Sequence, residues 1–154
     1  MRQSVLFKGF MAAKMPLGLA AGLRVGDLDA AKCTIVLPGG WRTQNPFGST
    51  YWAAQGMAAE LASGLHPFVY AQGATVPVRM ILARCAGEFV RMCKTDARFE
   101  FHQGELIENA IRSTLSSGEN VDCVTEVLGY DAGNELVSRW SFTWAFRAKL
   151  ASKK

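Results

Sequence analysis

Between Thr43 and Val78 the chain carries one charged side chain, Glu60, inside an otherwise uncharged and largely apolar run. A carboxylate is costly in such surroundings unless it is paired or opens onto a cleft, and burial raises its pKa toward the range of a general base. The residues allow two readings of Glu60. It activates water in a solvent-reachable pocket, or it pairs with an arginine such as Arg79 or Arg84 or sits at a subunit interface. Asn45 and Gln55 carry amides that could orient a substrate or a water; equally, Asn45 before Pro46 suits a turn. His66 and His102 have no spacing that would hold a metal and read as ordinary surface or interface residues. No Gly-x-Ser-x-Gly elbow, phosphate loop or Gly-x-Gly-x-x-Gly fingerprint occurs.

The elements that must position these groups are legible from periodicity. Ser49, just after Gly48, is a suitable N-cap, and Gly64 with Pro67 is a suitable stop, which predicts a helix over residues 49–65. Val5, Leu6, Phe10, Met11 and Met15 recur at helical spacing and predict an amphipathic first helix. Lys14 and Pro16 interrupt the apolar run there and argue against a cleaved signal peptide. Strands are expected over residues 23–28, 32–38, 76–93 (with a break or bulge at Ala86-Gly87) and 97–102. Residues 104–117 change period to a helix with Leu106, Ile107, Ala110, Ile111, Thr114 and Leu115 on one face, Glu108 and Arg112 paired on the other, and Gly118 closing it. Two last strands, 121–130 and 136–149, flank the hairpin signal Asp131-Ala132-Gly133-Asn134, and Trp140, Phe142, Trp144 and Phe146 alternate inward.

With 154 residues, 49% hydrophobic and 19% charged, the composition is that of a globular chain, and a single domain over 1–154 is expected. The net charge of +4 is spread with no like-charge run beyond Lys153 and Lys154, which argues against a nucleic-acid partner. Scattered Asn45, Pro46, Gly48, Gly56, Glu60, Gly64, Pro67 and Gly73 argue against a membrane span through the uncharged stretch. Cys33, Cys85, Cys93 and Cys123 form no close pair and read as reduced core thiols. An α+β fold class follows, in which a helix without a polar face must be covered on nearly every side; a curved antiparallel sheet would do that.

The stretches NPFGSTYWAAQGMAAELASGL, LRVGDLDAAKCTIVLP and ELVSRWSFTWAF resemble the DUF4442 branch of the hotdog-fold, PaaI-like thioesterase superfamily, over roughly residues 17–148. The resemblance implies a hotdog fold: a curved sheet around a long central helix, with an N-terminal helix and a small inserted helix. In many hotdog acyl-CoA thioesterases a His-Gly-Gly-like element opens that helix and polarises the thioester carbonyl, and a carboxylate further along works as base or nucleophile. Phe47-Gly48-Ser49 is taken as the matching element, with N–H groups near Gly48 and Ser49 suited to an oxyanion. Counting onward then reaches Gly56, beside Gln55, where an acid is expected; the acid present is Glu60, one turn later on the same face.

The implied function is a cytoplasmic acyl-CoA thioesterase in which Glu60, Asn45, Gly48 and Gln55 serve the chemistry. Phe47, Ser49, Tyr51, Trp52, Met57 and Arg84 would bind the substrate, the acyl tail lying beside Tyr51, Trp52 and Met57. Arg84, Arg91 and Lys94 could meet the phosphates of coenzyme A or simply face solvent. No cofactor or metal is implied. A homodimer or dimer of dimers is implied, with sites built between subunits. The missing acid at Gly56 keeps open a non-catalytic fatty-acyl or hydrophobic-ligand binding module.

Overall fold

A computed structural model describes residues 2–149, apart from the side chains of residues 2–4 and 6; the expectations resting on Leu6, Lys153 and Lys154 lie outside what it describes. The elements run α1 (Arg2–Lys14), α2 (Pro16–Ala21), β1 (Arg24–Leu28), β2 (Cys33–Leu37), α3 (Trp52–Gly73), β3 (Val78–Phe89), β4 (Ala97–Phe101), α4 (Gly104–Ser117), β5 (Val121–Asp131) and β6 (Leu136–Ala148).

The six strands form one antiparallel sheet in the order β1-β2-β4-β5-β6-β3. The alternation in β6 works as expected. Trp140, Phe142, Trp144 and Phe146 are buried while Arg139 and Arg147 are exposed. Each such aromatic removes enough apolar area from water to stabilise by about 1.5–3 kcal/mol. Cys33, Ile35 and Leu37 of β2, Phe99 and Phe101 of β4 and Val127 of β5 complete the inner face. Asp131 Oδ1 accepts from the N–H groups of Gly133 and Glu135 and so fastens the β5–β6 hairpin.

The sheet wraps α3, which packs against β2, β3, β4, β5 and β6 and against α4. Its Ala58, Ala59, Leu61, Ala62 and Leu65 are buried. That is the arrangement expected of a helix without a polar face. The chain is therefore a hotdog fold, an open six-stranded sheet around a long central helix.

Several expectations are corrected. The central helix begins three residues later than Ser49 and runs through Gly64 and Pro67 to Gly73. Pro67 removes one helical donor, but it lies on a buried turn whose packing keeps the chain helical. The β3 irregularity falls between Leu82 and Arg84 rather than at Ala86-Gly87. The N-terminal helix is split at Met15, just before Pro16, and Val5 on it is exposed while Met11 is fully buried. All four cysteines are free, but Cys85 is exposed on β3; burial pushes the Cys33 thiol up to about 12.

Candidate functional site

The chain entering α3 forms a tight turn. Asn45 Oδ1 accepts from the N–H groups of Phe47 and Ser49 at 3.0 and 3.2 Å, and the N–H of Gly48 donates to the Asn45 carbonyl at 3.1 Å. Asn45 Nδ2 donates to Ser49 Oγ. Gly48 has φ +72°, in the left-handed region where a side chain would be strained. Ser49 thus belongs to the turn rather than capping the helix, and the N–H groups of Gly48 and Ser49 are spent within it. Tyr51 is the N-cap, without a side-chain bond, and the first helical bond runs from Gln55 N–H to the Tyr51 carbonyl. The N–H groups of Trp52, Ala53 and Ala54 are the ones the helix leaves unpaired.

Two cavities flank this helix start. The first, of about 400 Å³, brings together Asn45, Ser49, Trp52 and Gln55 with the end of β3 and the segment after it, from Phe89 to Cys93. Gln55 is 3% exposed, and its Nε2 donates to the Thr50 carbonyl. Its Oε1 is buried with no partner. A buried acceptor without a partner among the described residues costs about 1–3 kcal/mol, so a donor reaching this oxygen from the cavity would relieve that cost. The second cavity, of about 620 Å³, is predominantly apolar and lies between α2 and α3, lined by Leu17, Ala20, Trp41, Tyr51, Ala54 and Met57 among others, with Arg42. Tyr51 and Met57 therefore share a groove, whereas Trp52, in edge-on contact with Tyr51, faces the polar cavity. Phe47 is exposed on the turn and Arg84 on β3, and neither lines either cavity.

Glu60 stands farther along α3, on the face turned to β6. A β-carbon on Gly56 would lie 3.0 Å from Trp140, and one on Gly64 would lie 3.2 Å from Trp144 and 3.3 Å from Glu60 Oε1. The carboxylate is half-buried between these two glycines, and burial raises its pKa above the ordinary value of 4.5. It forms no ion pair among the described residues, so within one copy Arg79 and Arg84 do not neutralise it. Arg91 instead bonds Glu135 at 3.2 Å.

His66, expected at the surface, is 3% exposed within α3. Its Nε2 bonds the Asp29 carbonyl at 2.8 Å, its Nδ1 is buried without a partner, and burial lowers its pKa. The signal that could have revealed this was present: a helix continuing past Pro67 turns His66 inward. His102 is exposed beside Glu100.

A family model described as a domain of unknown function, DUF4442, matches residues 3–146. No curated protein matches the chain. Among solved structures, a Pseudomonas aeruginosa protein of unknown function described as a probable thioesterase is 23% identical, with TM-score 0.80 over 93% of this chain and 94% of its own. A Chlorobaculum tepidum protein of unknown function is 13% identical, with TM-score 0.77 over 91% of each chain. A Haemophilus influenzae thioesterase is 12% identical, with TM-score 0.68 over 94% of this chain and 91% of its own. At these identities the likeness bears on the fold, and the family match on membership. The chain, with its central helix inside a six-stranded antiparallel sheet, belongs to the DUF4442 family.

Proposed function

We propose that the protein hydrolyses acyl thioesters, with Glu60 as the general base. The observation that carries this reading is the unpaired, half-buried carboxylate on α3, held above its ordinary pKa. The position of the helix start supports Glu60 in the role of the expected acid. The element that opens α3 is Tyr51-Trp52-Ala53, four residues later than Phe47-Gly48-Ser49, and the same shift moves the expected acid from Gly56 to Glu60. The oxyanion donors shift likewise, to the free N–H groups at Trp52 and Ala53, where the helix dipole is positive.

In this mechanism Glu60 takes a proton from water, and the oxygen attacks the thioester carbonyl. The tetrahedral oxyanion is held by the helix-start N–H groups, and Gln55 Oε1 accepts a hydrogen bond from the attacking water. Collapse breaks the C–S bond, and the departing thiolate takes the proton from Glu60. The acyl tail lies in the apolar groove with Tyr51 and Met57.

One copy does not bring these parts together. At 1.5 Å rise per residue, Glu60 lies about 12 Å along the axis from Trp52, too far to serve the same carbonyl. We therefore place the site between two copies, as a homodimer formed through β3. That strand is twelve residues long and, among the described residues, pairs with β6 alone and leaves its other edge free. Unpaired edges of this length are otherwise liabilities. Glu60 lies level with Trp140 and Trp144, which register with Gly87, near the end of that edge strand, and with Leu82, near its middle.

A panel of acyl-CoAs of graded chain length, with released thiol as the readout, tests the activity. Turnover lost in Glu60→Gln supports the assignment. Stoichiometric binding without turnover at every chain length sinks the hydrolase and leaves a hydrophobic-ligand binding module, the reading that the 620 Å³ groove favours by itself.

A further inference from the structure

At the opposite end of β3 from the polar cavity, Arg79, Arg147 and Lys149 line a third cavity of about 410 Å³ together with Gly118 and Ala148. Arg79 and Arg147 are direct register partners across β3 and β6. Like charges placed opposite one another on neighbouring strands are destabilising. Five other arginines, Arg24, Arg91, Arg98, Arg112 and Arg139, each hold a carboxylate, and Arg42 and Arg84, which hold none among the described residues, are not register partners of another cation. Arg79, Arg147 and Lys149 hold none among the described residues, and the adjacent Asp122 accepts from Asn120 instead. The C-terminal end of α4 at Gly118 supplies a partial negative charge of about half a unit against three full positive ones. Backbone bonds fix the cluster: Lys149 N–H donates to the Pro77 carbonyl and Ala148 N–H to Thr114 Oγ1.

We propose that Arg79, Arg147 and Lys149 form a binding site for a phosphate-bearing ligand, which in the thioesterase reading is the phosphate end of the thioester's carrier. Two guanidinium groups side by side offer the paired N–H donors that phosphate oxygens accept, and a bound dianion removes the repulsion between them. The placement suits a long carrier only in the dimer. Antiparallel pairing of two β3 edges lays the start of one strand beside the end of the other. The basic cavity of the second copy thereby comes next to the polar cavity bounded by Phe89 to Cys93. This last step rests on the dimeric thioesterase reading; the anion site itself does not.

The test is calorimetric titration of the full chain with adenosine 3′,5′-bisphosphate and, in parallel, inorganic pyrophosphate. The wild type is expected to bind both, and the Arg79→Gln/Arg147→Gln double variant to lose tenfold or more in affinity for each. An Arg24→Gln/Lys32→Gln double variant, which removes the same charge at the β1 edge of the sheet, is expected to bind as the wild type does. Equal loss in both double variants, or no loss in the first, overturns the site. The first variant should melt no lower than the wild type, because a repulsive pair is removed. Rates on an acyl-CoA and on the same acyl group carried by N-acetylcysteamine separate the two proposals: the variant raises KM for the first substrate and leaves the second unchanged. If the wild type binds the bisphosphate but hydrolyses neither substrate, the thioesterase reading falls and the phosphate site stands.

Discussion

Glu60 Oε1 lies 3.3 Å from the point where a β-carbon on Gly64 would stand, and the same point lies 3.2 Å from the Trp144 ring. The absent side chain at 64 is what leaves room for a carboxylate between α3 and β6. Gly64→Ala improves helix propensity by about 1 kcal/mol but crowds both neighbours at a cost of about 1–3 kcal/mol. Stability should therefore fall by no more than about 2 kcal/mol, while thioester turnover falls tenfold or more because Glu60 is displaced. Thermal melts and steady-state rates check the two effects separately.

Removing the charge at Glu60 should separate activity from stability. Its folded pKa is raised, so the neutral form is favoured; the associated stability is present below the unfolded value near 4.5 and is lost as pH rises through the folded pKa. Glu60→Gln should therefore be more stable than the wild type at pH 7, and the difference should close toward pH 4. If Glu60 is the proposed general base, the same change should cost about 10²–10⁴-fold in turnover. Denaturant titrations at both pH values and rates of thiol release measure these outcomes; a variant no more stable at pH 7 contradicts the burial argument.

Gln55 offers a second dissociation of the same kind. Gln55→Met forfeits the bond to the Thr50 carbonyl, worth about 1 kcal/mol, but also removes a buried acceptor without a partner. Folding stability should stay within about 1 kcal/mol of wild type. If Gln55 Oε1 positions the attacking water, turnover should drop by tenfold or more with little change in KM, a split read from steady-state kinetics.

His66 should make the fold acid-sensitive. Its folded pKa lies below 6.5 because burial disfavours the imidazolium, so its contribution is full above pH 6.5 and is lost as pH falls through the folded pKa. His66→Leu should flatten the stability profile between about pH 7 and pH 5, at a fixed cost from the lost bond to Asp29. Unfolding midpoints across that range decide it: parallel profiles for the two proteins would contradict the assignment.

Elements whose pattern depends on neighbours in sequence were readable from the chain alone. The alternation of Trp140, Phe142, Trp144 and Phe146 specified β6 because side chains on a strand repeat every two residues, whatever packs on them. The helix at Gly104–Ser117 followed from its period and from Gly118 at the αL position beyond it. The isolation of Glu60 within an uncharged run was equally visible. What residue types could not decide was where α3 begins and ends. The Asn45 turn competes with a cap at Ser49 through side-chain bonds that form only once the loop is folded. Pro67 is tolerated because burial of the surrounding turn outweighs one missing donor.

The helix bounds, set by tertiary packing, decide which N–H groups are free at Trp52, Ala53 and Ala54, and the run past Pro67 turns His66 inward. The chain alone determined that an apolar helix with one carboxylate needs a sheet around it. Only the folded arrangement decided which surroundings each polar group would have, because desolvation and hydrogen bonding depend on contacts between residues far apart in sequence.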